Sequence, residues 1–219
     1  MELLEYKELY FLQDKVLDVV FTTEREFYLT GGTCLNRFYV EKRYSNDLDF
    51  FANNSNRFHF AVKNIYDSLS TEFSVQREID SKDFLRLRVE NFLQVDFVND
   101  TAYYYKEPRI LKNNWILDNV ENILANKVTA IIGRDNPKDI FDLYLIAKHY
   151  SFSWKEILEV AQKKSHFSKT DLVVRLQTFP RALLDSLHLT DPLFLTGLPG
   201  EFAALIGEII EDANHVRII

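Results

Sequence analysis

The chain has 219 residues, a net charge of -7 and an ordinary 47% of apolar residues. That length suits one large domain or a core with an appendage, and the acidity excludes a generally basic nucleic-acid coat while leaving room for a local basic groove. A single cysteine, Cys34, excludes an internal disulfide and fits a reducing compartment. The start, Met1-Glu2-Leu3-Leu4-Glu5-Tyr6-Lys7, lacks a basic segment followed by an apolar run, so no signal peptide is expected. No apolar run approaches membrane-spanning length; no membrane partner is expected, and the cytoplasm is the expected location.

Residues 2–22 read as an amphipathic helix, with Leu3, Tyr6, Leu9, Tyr10, Leu12, Val16, Val19 and Val20 near helical spacing. Phe27 to Thr30 reads as a short buried strand, 32–41 as a helix and Asp47 to Ala52 as the next strand. The cluster Asn53-Asn54-Ser55-Asn56 predicts a turn and cap for a helix over 57–70. Three strands follow, Phe73 to Ile79, Phe84 to Val89 and Phe92 to Val98, the last two joined by a tight Glu90-Asn91 hairpin. The stretch 100–117, with Tyr103-Tyr104-Tyr105, Pro108 and Trp115, reads as a connecting loop with one short strand. Asp118-Asn119-Val120-Glu121 resembles a capping box opening a helix that ends at Gly133. Asn136-Pro137 then reads as N-cap and first helical position of a helix from Lys138 to Tyr150. Beyond Ser151 the pattern is helical, with a further capping box at Ser153-Trp154-Lys155-Glu156. Strands mixed with helices, followed by helices alone, predict an α/β (α+β) core with a mixed sheet and a helical C-terminal part. The expected division is 1–117 and 118–219.

Charged residues in apolar settings carry the chemistry. In Asp47-Leu48-Asp49-Phe50-Phe51, strand alternation turns both aspartates to one face and Leu48 and Phe50 to the core. Carboxylates so close repel unless a cation lies between them, and magnesium, which binds carboxylates and substrate phosphates together, is the natural candidate. Gly31-Gly32-Thr33, between a strand and a helix, suits phosphate: glycine lets backbone N–H groups approach, and the helix start adds its positive end. Asp96 alternates away from Leu93, Val95 and Phe97. Lys127 falls on the apolar stripe of Val120, Ile123, Leu124, Val128 and Ile131 and needs an anionic partner; Asp142 lies inside Ile140-Phe141-Asp142-Leu143-Tyr144 and needs a cationic one. Arg43 suits either a phosphate or the aspartates, and Ser45 either a phosphate or a turn cap. The five histidines show no ligand spacing. Residues 155–181 carry a mild basic excess, Lys155, Lys163, Lys164, Lys169, Arg175 and Arg181, compatible with a solvated face or with RNA.

Taken together, Gly31-Gly32-Thr33, a gap of roughly a dozen residues, Arg43-Tyr44-Ser45-Asn46-Asp47-Leu48-Asp49, and the later block Lys127-Val128-Thr129-Ala130, Arg134 and Lys138-Asp139-Ile140-Phe141-Asp142-Leu143-Tyr144 resemble the AbiEii/AbiGii toxin branch of the polymerase-β-type nucleotidyltransferases. The resemblance covers residues 27–145. It implies metal-binding carboxylates Asp47, Asp49 and Asp96 holding two magnesium ions, a nucleoside triphosphate (NTP) on Gly31, Gly32, Thr33, Arg43, Ser45 and Lys127, and catalytic roles for Lys127 and Asp142, contributed by the helical part. It also implies transfer of a nucleoside monophosphate to a hydroxyl, RNA and tRNA ends included, by the toxin of a toxin–antitoxin or phage-defence pair with a cognate antitoxin. A small-molecule (antibiotic-type) or protein acceptor would use the same core residues. A nucleotide-binding module without transfer, or a scaffold, would leave clustered carboxylates without a task.

Overall fold

The computed structural model describes residues 3–101 and 103–217. It divides into two compact units, residues 1–34 with 45–119 and residues 35–44 with 120–219.

The first unit is built on alternation. β1 (Tyr28–Thr30), β2 (Asp47–Asn53), β3 (Val75–Asp80), β4 (Phe84–Val89), β5 (Leu93–Asp100), β6 (Arg109–Ile110) and β7 (Ile116–Leu117) form one mixed sheet in the order β3-β4-β5-β2-β1-β7-β6. β2 and β5 are parallel, while β1 with β2 and β4 with β5 are antiparallel. One face carries Leu48, Phe50, Leu85, Leu87, Val95 and Phe97, all buried. Phe50 stacks on Phe97, and Phe27 meets both Phe97 and Phe58 edge-on. Such aromatic contacts add to the area they bury. α1 (Leu3–Thr23) and α3 (Phe58–Glu72) belong to this unit, burying Tyr6, Leu9, Leu12, Val16, Val20, Ile65 and Leu69. The expected helix start at residue 2 lies outside the described residues, as does the side chain of Leu3.

Several predicted boundaries move for identifiable reasons. The cluster at 53–56 does turn, with Asn54 at φ 50°, but it does not cap α3, whose N-cap is Arg57 without a side-chain bond. Ser55 instead donates its N–H to Asn99 on β5 at 2.7 Å, which ties the turn to the sheet. The third predicted strand starts at Val75, because Phe73 is spent closing α3 through Leu69. The loop 100–117 holds two short strands, β6 and β7, rather than one. Glu90 and Asn91 both take positive φ, 50° and 65°, as a tight hairpin requires, and Phe92 N–H closes the turn on Val89. The ladder, however, pairs Val89 with Leu93, so Phe92 is an extra, exposed residue and β5 begins at Leu93.

The second unit is helical. α2 (Gly31–Phe38) begins in the first unit and ends here, three residues short of the expected 41. It stops because the Asn36 side chain accepts the backbone N–H of Arg43 at 3.2 Å, folding the chain back on the helix. α4 (Val120–Gly133), α5 (Pro137–His149), α6 (Trp154–Lys164), α7 (Lys169–Thr178) and α8 (Leu198–Ile210) follow, with 3-10 turns at Arg181–Ser186 and Pro192–Leu195 and a small ribbon of β8 (Phe152–Ser153) and β9 (Asn214–His215). Asn136 caps α5 by accepting from Lys138, with proline at its first turn, and Ser153 caps α6. α7 carries a full capping box of Ser168 and Asp171. No described helix is long and apolar enough to cross a membrane.

Candidate active site

The polar face of the sheet gathers three of the predicted acids. Register aligns Thr30 of β1 with Asp49 of β2, Asp49 with Asp96 of β5, and Asp96 with Arg86 of β4. The next row pairs Asp47 with Gln94 and Gln94 with Arg88. Paired residues project to the same side of a sheet, so Asp47, Asp49 and Asp96 share one face, opposite the phenylalanine core. Asp47 and Asp49 are half-buried, and Asp96 is 6% exposed.

The approach to this face is fixed by the residues before it. β1 runs straight into α2 at Gly31, whose φ of +71° is the left-handed region that favours glycine. A Cβ at Gly31 would collide with the Asp49 carboxylate, so glycine is required twice over. Thr33, buried in the first turn of α2, donates its hydroxyl to the backbone carbonyl of Asp47. On the other flank α1 grips Ser45: Gln13 donates to its carbonyl at 3.1 Å and the Tyr10 hydroxyl accepts its N–H at 3.2 Å. The Ser45 hydroxyl lies 3.4 Å from Asp47 Oδ1.

Asp96 gives both oxygens to Arg86, with Nε to Oδ1 at 2.8 Å and Nη2 to Oδ2 at 2.7 Å, and accepts from Gln94 at 3.1 Å. The fork to Asp96 raises the Arg86 pKa against the opposing effect of burial. Beyond Thr30 lies a residue the sequence marked only as a cap. Asp118, fully buried, accepts the hydroxyls of Thr30 at 2.5 Å and Tyr104 at 2.8 Å. The nearby Cys34 thiol is pushed well up by burial and by the Asp118 charge, so it stays protonated and packs as a small apolar group.

The helical unit holds a second charged centre. Asp142 of α5 accepts a forked pair from Arg43, Nε to Oδ1 at 2.8 Å and Nη2 to Oδ2 at 2.7 Å, and also binds Lys127 Nζ at 2.7 Å and Asn36 Nδ2 at 3.2 Å. Lys127 bridges on to Asp139 at 2.9 Å, and Arg134 reaches Asp139 at 2.7 Å. Arg43 is 1% exposed and Lys127 7%. Burial raises the Asp142 pKa, but the charges and hydrogen bonds of Arg43 and Lys127 outweigh it and leave the group well below the usual range. Asp139 is lowered in the same way, chiefly by Lys127 and Arg134 against burial. Burial lowers Lys127, and the two carboxylates more than offset it, so the lysine is charged. Arg43, read as a partner for a phosphate or for Asp47 and Asp49, forks onto Asp142 instead.

Residues 18–216 match the family described as nucleotidyl transferase AbiEii toxin, type IV TA system. The chain belongs to that family. It is therefore a nucleotidyltransferase of the AbiEii toxin type, with a mixed α/β fold. It is 28% identical over 160 residues to the Aquifex aeolicus protein aq_aa25, covering 68% of this chain and 71% of that one. In fold it is similar to two solved structures from Helicobacter pylori. JHP933 matches with a TM-score of 0.57 at 20% identity over 94% of this chain and 90% of its own. A candidate nucleotidyltransferase matches with a TM-score of 0.59 at 22% identity over 95% and 96%.

For an AbiEii-type enzyme the implied cofactor is a divalent metal, and the donor chemistry fits it. Asp47, Asp49 and Asp96 offer only carboxylate oxygens, the ligands a hard divalent cation takes. Among the described residues no three such side chains are gathered into a finished cage. Both oxygens of Asp96 are in the Arg86 fork. The basic stretch 155–181 is largely engaged within its own unit. Lys164 donates to Asn122 and Asn126, Lys169 pairs with Asp212, Arg175 reaches the Ile131 carbonyl, and Arg181 lies over Phe202.

Proposed function

We propose that this nucleotidyltransferase moves a nucleoside monophosphate from an NTP to a hydroxyl of RNA, with a tRNA end as the acceptor, and releases pyrophosphate. One observation carries the reading: Asp49 and Asp96 are register partners on the polar face, Asp47 shares that face, and the Gly31 backbone packs against Asp49. Bound to these carboxylates, magnesium would supply Lewis-acid activation of the acceptor hydroxyl and stabilisation of the leaving oxygen. Asp47, Asp49 and Asp96 would hold the cation. The N–H groups of Gly31, Gly32 and Thr33 at the start of α2 hold the β and γ phosphates. The family resemblance gives Lys127 the role of offsetting charge on the triphosphate; in the helical unit Asp139 and Asp142 keep it charged. Asp142 acts through Lys127 and Arg43, which makes it a positioning residue, and Ser45 acts through Asp47. In a type IV pair the chain would be the cytoplasmic toxin, held in check by a cognate antitoxin and serving defence against phage.

The test is transfer of label from each of the four α-labelled NTPs into total RNA with magnesium, beside the Asp47→Asn protein. Label in a tRNA-sized band, lost in the variant, is the expected result and names the nucleotide. An active Asp47→Asn protein overturns the metal-site reading. Nucleotide binding without label in RNA redirects the acceptor to a small molecule or protein.

A further inference from the structure

We propose that Arg86 is a tethered counter-cation that competes with the divalent metal for Asp96. The inference rests on the reading of Asp47, Asp49 and Asp96 as the metal set. Arg86 stands directly opposite Asp96 on the neighbouring strand, and its planar fork takes one contact on each carboxylate oxygen, at 2.8 and 2.7 Å. A forked guanidinium–carboxylate pair is among the strongest side-chain bonds, and it uses one lone pair on each oxygen. Gln94 takes a further acceptor position on Oδ2 at 3.1 Å. One acceptor position, on Oδ1, is left, so a cation that takes Asp96 through both oxygens must displace a donor already there.

Two further features make Arg86, not Asp96, the moving part. The Arg86 side chain is 31% exposed and the Asp96 side chain 8%, so the guanidinium has an open side and the carboxylate does not. Arg88, two residues along the same face, is forked on Glu78 at 2.8 and 2.9 Å, so that neighbouring carboxylate is already taken. Arg86 thus keeps the third carboxylate neutralised when no cation is bound and releases an oxygen when one arrives. Capture by Asp47 and Asp49 and capture by Asp96 become separate events, and the second carries an energetic toll.

Removing Arg86 has two opposed effects. It strips the counter-charge from a buried carboxylate, which weakens the fold in chelator, and it frees that carboxylate for metal, which tightens binding. The experiment is a Mn2+ titration of the full chain followed by electron paramagnetic resonance, with thermal midpoints in chelator and in Mn2+, on the wild type, Arg86→Gln, Asp47→Asn and Arg86→Gln/Asp96→Asn. Arg86→Gln should bind Mn2+ more tightly, on the order of tenfold for one lost charged fork. Its midpoint should be lower in chelator and should rise more on adding Mn2+ than the wild type does. Asp96→Asn in the double variant should abolish the gain. Wild-type or weaker affinity in Arg86→Gln, with equal loss of midpoint in both conditions, overturns the proposal and leaves Arg86 a static partner. Binding that is indifferent to Asp47→Asn overturns the metal set itself, and the proposal with it. Should Arg86→Gln not fold in either condition, Arg86→Lys decides: it keeps the charge but loses the fork, and affinity no tighter than wild type counts against the proposal.

Discussion

Two charged centres built from the same residue types behave as opposites. On the sheet face, Asp47 and Asp49 are half-buried on one strand and Asp96 is buried on the next, with one arginine in register across from Asp96. In the helical unit, Asp139 and Asp142 meet Arg43, Lys127 and Arg134, and all but Arg134 are buried. The closed centre is satisfied by its own cations. Taking those charges out of water is expensive, and the forked and bridged geometry offsets that cost. The open centre concentrates like charge on an accessible face, which is tolerable where a cation is meant to bind. An aspartate in an apolar run is thus no guide to its task until its partner is known.

The largest expected effect follows from that contrast. Asp49→Asn should cost transfer roughly a thousandfold or more, the scale of losing a metal ligand, while moving the thermal midpoint far less than Asp142→Ala does. Single-turnover label transfer and calorimetry measure the two. Full activity would put Asp49 outside the chemistry and erase the distinction between the centres.

Asp142 should show the reverse balance. Asp142→Ala leaves the buried Arg43 without its fork and should destabilise by about 3–5 kcal/mol in urea unfolding. An Asp142→Ala protein as stable as wild type but inactive would break the comparison from the other side. The pH dependence sharpens it. Asp142 and Asp139 sit below their ordinary pKa, so the native state binds fewer protons than the unfolded chain in acid. Their contribution is complete above the unfolded aspartate value, about 3.9, and is lost as pH falls through the folded values. Lys127 sits above its ordinary pKa, so its contribution is complete below about 10.4 and is lost as pH rises through the folded value. Unfolding across pH should show a plateau between those limits, and Asp142→Asn should flatten the acid limb.

Gly31→Ala should have a smaller effect than either. A left-handed φ and a collision with the Asp49 carboxylate should cost about 1–3 kcal/mol and lower transfer as well, because the same backbone faces the acid. Loss of stability with full transfer would remove Gly31 from the phosphate role.

What the sequence revealed depended on whether the signal was local. The alternation of Asp47 to Ala52 and the Asn136-Pro137 cap are short-range and appear as read. Asp142 announced a need for a cation, but Arg43 lies 99 positions away, and no periodicity links them. Arg86 carries no such signal, for a subtler reason. A two-residue hairpin at Glu90-Asn91 would pair Val89 with Phe92 and set Arg86 beside Val95. The extra residue Phe92 shifts the ladder by one, and one residue of slip exchanges the faces of a strand. That single residue brings Arg86 opposite Asp96.

The smallest effect tests where the sheet's active face ends. Asp118 lies one strand beyond Thr30, and its burial could make it either the last acid of the row or a packing anchor. The Tyr104 hydroxyl donates to it at 2.8 Å, and burial and the Asp118 charge hold the Tyr104 pKa far above its usual value, so the proton stays on the tyrosine. Tyr104→Phe removes that donor while the Thr30 hydroxyl remains. As an anchor, Asp118 should lose about 1 kcal/mol of support, visible in urea unfolding, with transfer unchanged. A fall in transfer at unchanged stability would extend the catalytic face by one strand and place a fourth carboxylate on the open side of the comparison.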